Sequence, residues 1–430
     1  MPRKSYRTED VFGVTAKPLL SYVNRSEVDD KLRGNLHNDK VVLVHGPSGQ
    51  GKTWLVLNGL SDSNFALVSC TDLTTIEQLR QEIYKDFIVY CTDCEDNEVE
   101  WKTGLSMGVV RAERTSRQSR AVHIPNLASS DDLARKLDEF RTDHFAPTIV
   151  IDDIHCMPPV TLQGLSELVR NLFNRQIKVF ALAAWREPML PGLSGQLTNR
   201  MDVIDAGKWP DHCLQDLIQS GSNLLNIEFS TEFREAIIEN AHHNASLVQH
   251  ACYDQLMHFS PRIETTCTLP PGPLGSRESA EAIFSNRFSL LNSDFQRAFK
   301  SVGFKACGKR HALREARAAI IAAVLTADNK DLVVGLSFDK IWMRVQDRRR
   351  TFNRNPISNQ SFEAAINDPN FGLATELALR DITFFDTDVR AVLAQSQLFL
   401  AWRRWLSFVT LENLATEIEK PIVGKETSHD

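Results

Sequence analysis

Between Val41 and Val56 the chain reads VVLVHGPSGQGKTWLV. Gly46, Gly51, Lys52 and Thr53 fall on the spacing G-x-x-x-x-G-K-T, the pattern of a loop that cradles phosphates. Glycine admits backbone angles that a Cβ forbids. The loop can therefore turn its N–H groups inward at a helix start, where the dipole already favours an anion. The expected ligand is a nucleoside triphosphate in contact with Gly46, Pro47, Ser48, Gly49, Gln50, Gly51, Lys52, Thr53 and Trp54. Lys52 would reach the β- and γ-phosphates, and Thr53 would set its hydroxyl on Mg²⁺.

A second element supplies carboxylates. TIVIDDIH, residues 148–155, is an apolar run ending in Asp152 and Asp153. Asp152 is expected to hold Mg²⁺ through water. Asp153 stands where a glutamate commonly polarises the attacking water, and it is one methylene shorter. In-line attack needs an accurately placed water, so slow turnover is expected; the alternative for Asp153 is a helix-capping acid. KVFALAAWRE, residues 178–187, puts Arg186 just past the next strand, where a cation can read the γ-phosphate. Arg200 precedes the fifth strand, a position from which an arginine finger can reach a neighbouring subunit's nucleotide. For both arginines the alternative is an ordinary solvated side chain or surface ion pair.

These groups need a scaffold. Short Val/Ile/Leu/Phe runs at 41–45, 65–70, 148–153, 178–184 and 202–206 alternate with helical patterns such as 74–88 and 131–142. That alternation predicts an α/β fold with a parallel sheet covered on both faces. From 211 to 258 the pattern is helical, and 260–279 is rich in Pro, Gly and Ser. The expected domains are a P-loop core over 1–208, a helical lid over 209–259, a linker over 260–280 and a second domain over 281–430. In the last, KRHALREARAAIIAAVLTA, GLSFDKIWMRVQD and ISNQSFEAAIND read as helices, and ITFFDTD with RAVLAQS as a hairpin. Helix, helix, helix, hairpin is the order of a winged helix. QLFLAWRRWLSFV reads as a closing helix whose Trp402 and Trp405 pack into the core with Leu398 and Phe399.

Composition narrows the classes. The chain has 430 residues, 42% hydrophobic and 24% charged, with a net charge of −6 and a pI near 6.1. No apolar run approaches the roughly 20 residues of a membrane span, and MPRKSYRTEDVFG has no apolar h-region. With eight scattered cysteines, the expectation is a cytoplasmic protein with reduced thiols. The charge carries no overall nucleic-acid signature, yet residues 300–354 hold 13 Lys or Arg against 5 Asp or Glu. The third helix of that domain carries Glu363 and Asp368 and no cation, so contact with a phosphate backbone through the preceding loop is easier to defend than base reading. RAERTSRQSR, with arginines at 111, 114, 117 and 120, reads as a solvated loop or a docking arm. Cys91 and Cys94 read as free thiols rather than half a zinc site.

Together the motifs resemble the AAA+ ATPases, and more narrowly their STAND class of signalling switches. SYVNRSEVDDKLRGNL, residues 21–36, resembles the box before the P-loop that helps hold adenine, with Arg25 and Glu27 corresponding. Residues 205–256 resemble the lid of origin-recognition and transposition-regulator ATPases. The lid arginine called sensor 2 is missing, since HHNASLVQ puts Ser246 or Leu247 in its place. The resemblance implies ATP and Mg²⁺ as ligands, an ATP-dependent homo-oligomer, and control of a partner protein, as in bacterial anti-phage defence. The alternative it implies is an ATPase that grips duplex DNA.

Overall fold

In a computed structural model, the structure describes residues 6–13, 19–60, 65–95, 127–141, 147–157, 159–184, 200–207, 209–259, 272–303, 310–368, 372–373, 382–386, 390–394 and 396–420. The chain divides into two units, 1–281 and 282–430.

The first unit begins with α1 (Thr8–Phe12) and α2 (Ser26–Asn35), which precede β1 (Val41–His45). There follow α3 (Lys52–Gly59), β2 (Phe65–Ser69), α4 (Ile76–Glu95), α5 (Ser130–Asp138), β3 (Thr148–Asp152), α6 (Pro159–Asn174), β4 (Lys178–Ala183) and β5 (Met201–Asp205). The strands form one sheet in the order β2-β3-β4-β1-β5, every pair parallel. All five positions of β1 and of β3 are buried, as a strand covered on both faces requires. Leu55, Val56 and Leu60 of α3 and its C-cap join Val42, Val44, Phe180, Leu182 and Ile204 in one apolar core. The expected strands are found with ends moved by a residue. One shift matters: Asp153 is not the last residue of β3 but leaves it in the left-handed region, φ 55° and ψ 35°.

The helical stretch expected over 211–258 is three helices, α7 (Asp211–Leu225), α8 (Thr231–Ala241) and α9 (Ala245–Phe259). α7 stops at Asn226 in the left-handed conformation, and the Ser230 hydroxyl accepts the Phe233 N–H to start α8. The N-terminal α1, which the sequence did not single out, packs on α7 and α9. Its Phe12 is fully buried and meets Phe229 edge-on at 6.0 Å. Residues 272–276 depart from the expected linker. Leu274 is buried, its N–H donates to Glu228 O at 2.7 Å, and its carbonyl accepts from Ser230 N at 2.9 Å. The remainder of that linker, 260–271, and the arginines from 111 to 120 lie outside the described residues.

Helix α10 (Arg277–Gly303) leads into the second unit, which contains α11 (His311–Leu325), α12 (Asn329–Val334), β6 (Leu336–Ser337), α13 (Phe338–Thr351), α14 (Asn359–Asn367), β7 (Thr383–Asp386), β8 (Ala391–Ala394), α15 (Gln397–Trp405) and α16 (Phe408–Glu419). The Ser337 hydroxyl caps α13, so the segment read as helical from Gly335 instead gives a short strand, and β6-β8-β7 form an antiparallel sheet. Alanines along one helix let α13, α14 and α16 approach α11 closely. Trp402 is fully buried, stacked with Phe299 and Phe399, and its indole N–H donates to Asn292 Oδ1 at 3.1 Å.

Three arginines of the basic stretch 344–354 are tied down inside this unit. Arg348 pairs with Glu412 at 2.6 Å and Glu419 at 3.0 Å. Arg349 pairs with Glu315 at 3.0 Å, and Arg354 donates to the Glu419 carbonyl at 2.6 Å. These three arginines tie α13 to α11 and α16.

A Cβ at Gly221, in α7, would lie 2.2 Å from Phe12 Cζ, with two more ring atoms under 3 Å. Alanine favours a helix over glycine by about 1 kcal/mol, but overpacking a buried ring costs about 1–3 kcal/mol. Gly221→Ala is therefore expected to lower the urea midpoint; a more stable variant would show that α1 does not dock there.

Candidate functional site

The phosphate loop leaves β1 at Gly46, where φ is +151° and an added Cβ would stand 2.8 Å from Gly207 N. Only glycine lets the loop pass the end of β5 this closely. The loop closes at Gly51, φ +74°, which N-caps α3. Lys52, first in that helix and buried, donates to Gly46 O at 2.9 Å and Pro47 O at 3.2 Å. The loop thus wraps its own lysine, at the helix terminus whose dipole attracts anions. Trp54 is half-buried one residue beyond Thr53.

The strand order explains how the second motif arrives. β3 lies two strands from β1, with β4 between them, and α3 packs over β4. Across that gap the Thr53 hydroxyl donates to Asp152 Oδ2 at 2.6 Å. The other oxygen, Oδ1, accepts the Asp153 N–H at 2.8 Å. This contact holds Asp153 in its left-handed turn with its side chain 48% exposed. His155, buried just beyond, accepts the Ala184 N–H on Nδ1 at 3.3 Å and so ties the end of β3 to the end of β4. His155 Nδ1 also lies 4.0 Å from Asp153 Oδ1.

Arg25 is buried, and its Nη1 donates to Ala206 O at 2.9 Å. Its guanidinium lies 4.5 Å above the Trp209 ring. Burial pulls its pKa below the usual arginine value, and neighbours Tyr22 and Asp29 oppose that shift. The acid beside Arg25 is Asp29, not the expected Glu27: Asp29 is buried and accepts the Arg25 N–H at 2.7 Å and the Tyr22 hydroxyl at 2.8 Å, whereas Glu27 is exposed. A helix repeats every 3.6 residues, so the turn starting at Arg25 returns at Asp29.

Trp209 is the residue that sequence reasoning missed. Its indole N–H donates to Gln50 O at 3.1 Å, and its carbonyl meets His243 Nδ1 at 3.1 Å. His243 also lies 3.1 Å from Asp211 Oδ1. Arg186 lies outside the described residues. Arg200 is exposed before β5, 5.2 Å from the Phe173 ring, and its carbonyl accepts the Val41 N–H at 2.9 Å. It therefore sits at the opposite end of the sheet from Lys52, a strand length of roughly 16 Å away, and is not brought into its own chain's site.

Residues 35–186 match the AAA domain. The five-stranded parallel sheet and its P-loop have the AAA fold. Among solved structures, a Walker-type ATPase of Pyrococcus abyssi is 12% identical with a TM-score of 0.53, over 89% of this chain and 96% of that one. Cdc6p from Pyrobaculum aerophilum is 13% identical with a TM-score of 0.42, over 96% and 97% of the two chains. The Aeropyrum pernix Orc1 protein in complex with DNA is 11% identical with a TM-score of 0.43, over 97% and 98%. At such identities the likeness to the Pyrococcus ATPase is one of fold. No curated protein matches the sequence. No described helix is long and apolar enough to cross a membrane.

The residues at the loop fit a magnesium nucleotide. Thr53 Oγ1 and Asp152 are hard oxygen ligands of the kind Mg²⁺ prefers, converging on one point. Among the described residues, Arg25 Nε and Nη2 and both side-chain amide atoms of Gln50 are buried without a hydrogen-bond partner, which leaves polar capacity beside the loop for a ligand.

Cys70 follows β2, and its N–H donates to Asp152 O at 2.9 Å. Burial first, then the Asp153 and Asp152 carboxylates and Cys156, push its thiol up to about 12. At pH 8 the thiolate fraction is on the order of 10⁻⁴, so iodoacetamide should pass over Cys70 until the chain unfolds. Rapid alkylation of Cys70 in native protein, read by peptide mass mapping, would mean that the β2–β3 end is open.

Proposed function

We propose that the chain is an ATP-dependent molecular switch that hydrolyses its nucleotide slowly, in the manner of the STAND class, and controls a partner protein. The observation that carries this reading is the 2.6 Å contact between Thr53 and Asp152 beside a lysine enclosed by the phosphate loop. Lys52 and the loop amides would bind the phosphates, and Thr53 and Asp152 would hold Mg²⁺. Bound there, the ion supplies positive charge to the phosphate oxygens. Arg25 and Trp209 would flank the base. A nucleotide shifts a conformational equilibrium only through contacts that differ between its states; Lys52, Thr53, Asp152 and Arg186 are the groups we assign to the terminal phosphate.

Asp153 would orient the attacking water. Its carboxylate is short and half-exposed, starting from a left-handed backbone, a combination that favours slow turnover. Arg200 would act in trans, because the sheet separates it from its own phosphate loop. Assembly into a homo-oligomer would then be a condition for hydrolysis.

A duplex-binding ATPase is the second reading. It draws on Arg297 and Arg350, whose side chains are 77% and 81% exposed and, among the described residues, form ion pairs within one helical turn, contacts worth little. We read the helix and hairpin order of the second unit as a winged helix under either proposal.

Calorimetry and phosphate release test both. Lys52→Ala should abolish ATP binding. Asp153→Asn should slow hydrolysis by about 10²-fold, and Arg200→Ala by at least about tenfold, both with ATP affinity retained. Equal hydrolysis by all four proteins would end the enzyme reading, and loss of ATP binding in Arg200→Ala would make that residue structural. Light scattering with and without ATP reports assembly. If duplex affinity in ATP falls steeply with salt, the second reading replaces the first.

A further inference from the structure

Three successive carbonyls of the phosphate loop each accept a donor from the lid. Ser48 O receives Asn244 Nδ2 at 3.5 Å, Gly49 O receives the Ser246 N–H at 3.2 Å, and Gln50 O receives the Trp209 indole N–H at 3.1 Å. The approach is close: a Cβ built on Gly49 would stand 3.1 Å from Ser246 Cβ and 3.4 Å from both amide atoms of Asn244. These donors are themselves fixed. Asn244 is buried and caps α9, its Oδ1 accepting the Leu247 N–H at 2.9 Å. Ser246 lies in the first turn of α9, where backbone N–H groups have no partner within the helix. The Trp209 ring is held against the Arg25 guanidinium.

A planar trans peptide sets the carbonyl of one residue and the N–H of the next in opposite directions, and the described chain contains no cis peptide. Fixing the carbonyls of Ser48, Gly49 and Gln50 toward the lid therefore turns the N–H groups of Gly49, Gln50 and Gly51 away from it. A phosphate nest requires successive N–H groups to converge in this way. Their orientation costs free energy at the moment of binding unless it is set beforehand.

We propose that Trp209, Asn244 and the Ser246 N–H are positioning residues through which the lid preorganises the phosphate loop from behind, so that triphosphate affinity depends on lid docking without a sensor 2 cation. The inference rests on the ATP reading above and deepens it.

Two variants of the full chain isolate the donors. Trp209→Phe keeps a ring under Arg25 and removes the N–H. Asn244→Ser keeps a side chain that caps helices well and removes the amide. Titration calorimetry with Mg²⁺ compares ATP with inorganic tripolyphosphate, which has no base. Each variant should raise the Kd for both ligands by the same factor, about three- to tenfold, with the ligand-free melting temperature unchanged. Unaltered affinity for both ligands in either variant overturns the proposal while leaving the ATP reading intact. Weaker ATP binding with unaltered tripolyphosphate binding also overturns it, by placing the effect at the base. Wild-type protein that binds neither ligand sinks both readings.

Discussion

Two strands that are not neighbours must deliver a hydroxyl and a carboxylate to the same point, and most of the core follows from that requirement. Thr53 sits on the helix after β1, and Asp152 at the end of β3; they meet at 2.6 Å only because α3 crosses β4. A parallel sheet makes the crossing possible, since every strand ends on the same side. It also explains the uniform burial of β1 and β3, because a sheet with helices on both faces leaves no position wet. His155 adds a second cross-tie, from the turn after Asp153 to the end of β4. The carboxylates are thus indexed to β4, the strand that leads toward Arg186.

The lid is attached to the same point by a different chemistry. A sensor 2 arginine would contact the nucleotide directly. Here Trp209 and the turn at 244–246 hold the back of the loop. A grip on backbone carbonyls is insensitive to side-chain charge, and it transmits any rotation of the loop peptides into the lid. Arg25 completes the linkage by bonding Ala206, after β5, and stacking on Trp209. In our reading the strand end, the loop and the lid form a mechanically continuous corner.

How much of this was legible in the sequence depended on how local the cause was. The loop, the strands and the carboxylate pair were readable because motif spacing and apolar runs are properties of neighbouring residues. Asp29 was misread as Glu27 by a rule of adjacency, although helical periodicity pointed to the later residue. Trp209 and Asn244 gave no signal, because their partners stand 159 and 196 residues earlier in the chain. The internal ties of the basic run at 344–354 gave no signal for the same reason. The acids that pair with Arg348, Glu412 and Glu419, lie 64 and 71 residues beyond it, outside any local charge window.

Sheet polarity decides what Arg200 can do. All five strands run the same way, so a residue that precedes β5 is a full strand length from any residue that follows β1. No side-chain rearrangement closes roughly 16 Å, and moving the strand would break its register with β1, which pairs Val41 with Met201 through His45 with Asp205. If Arg200 meets a γ-phosphate, that phosphate is bound to another molecule. The consequence for a switch is asymmetric. In that case nucleotide uptake would need only the corner formed by one chain, whereas turnover would need a second chain to present its sheet end. A monomer would then hold ATP and persist in that state, and assembly itself would set the lifetime of the signal.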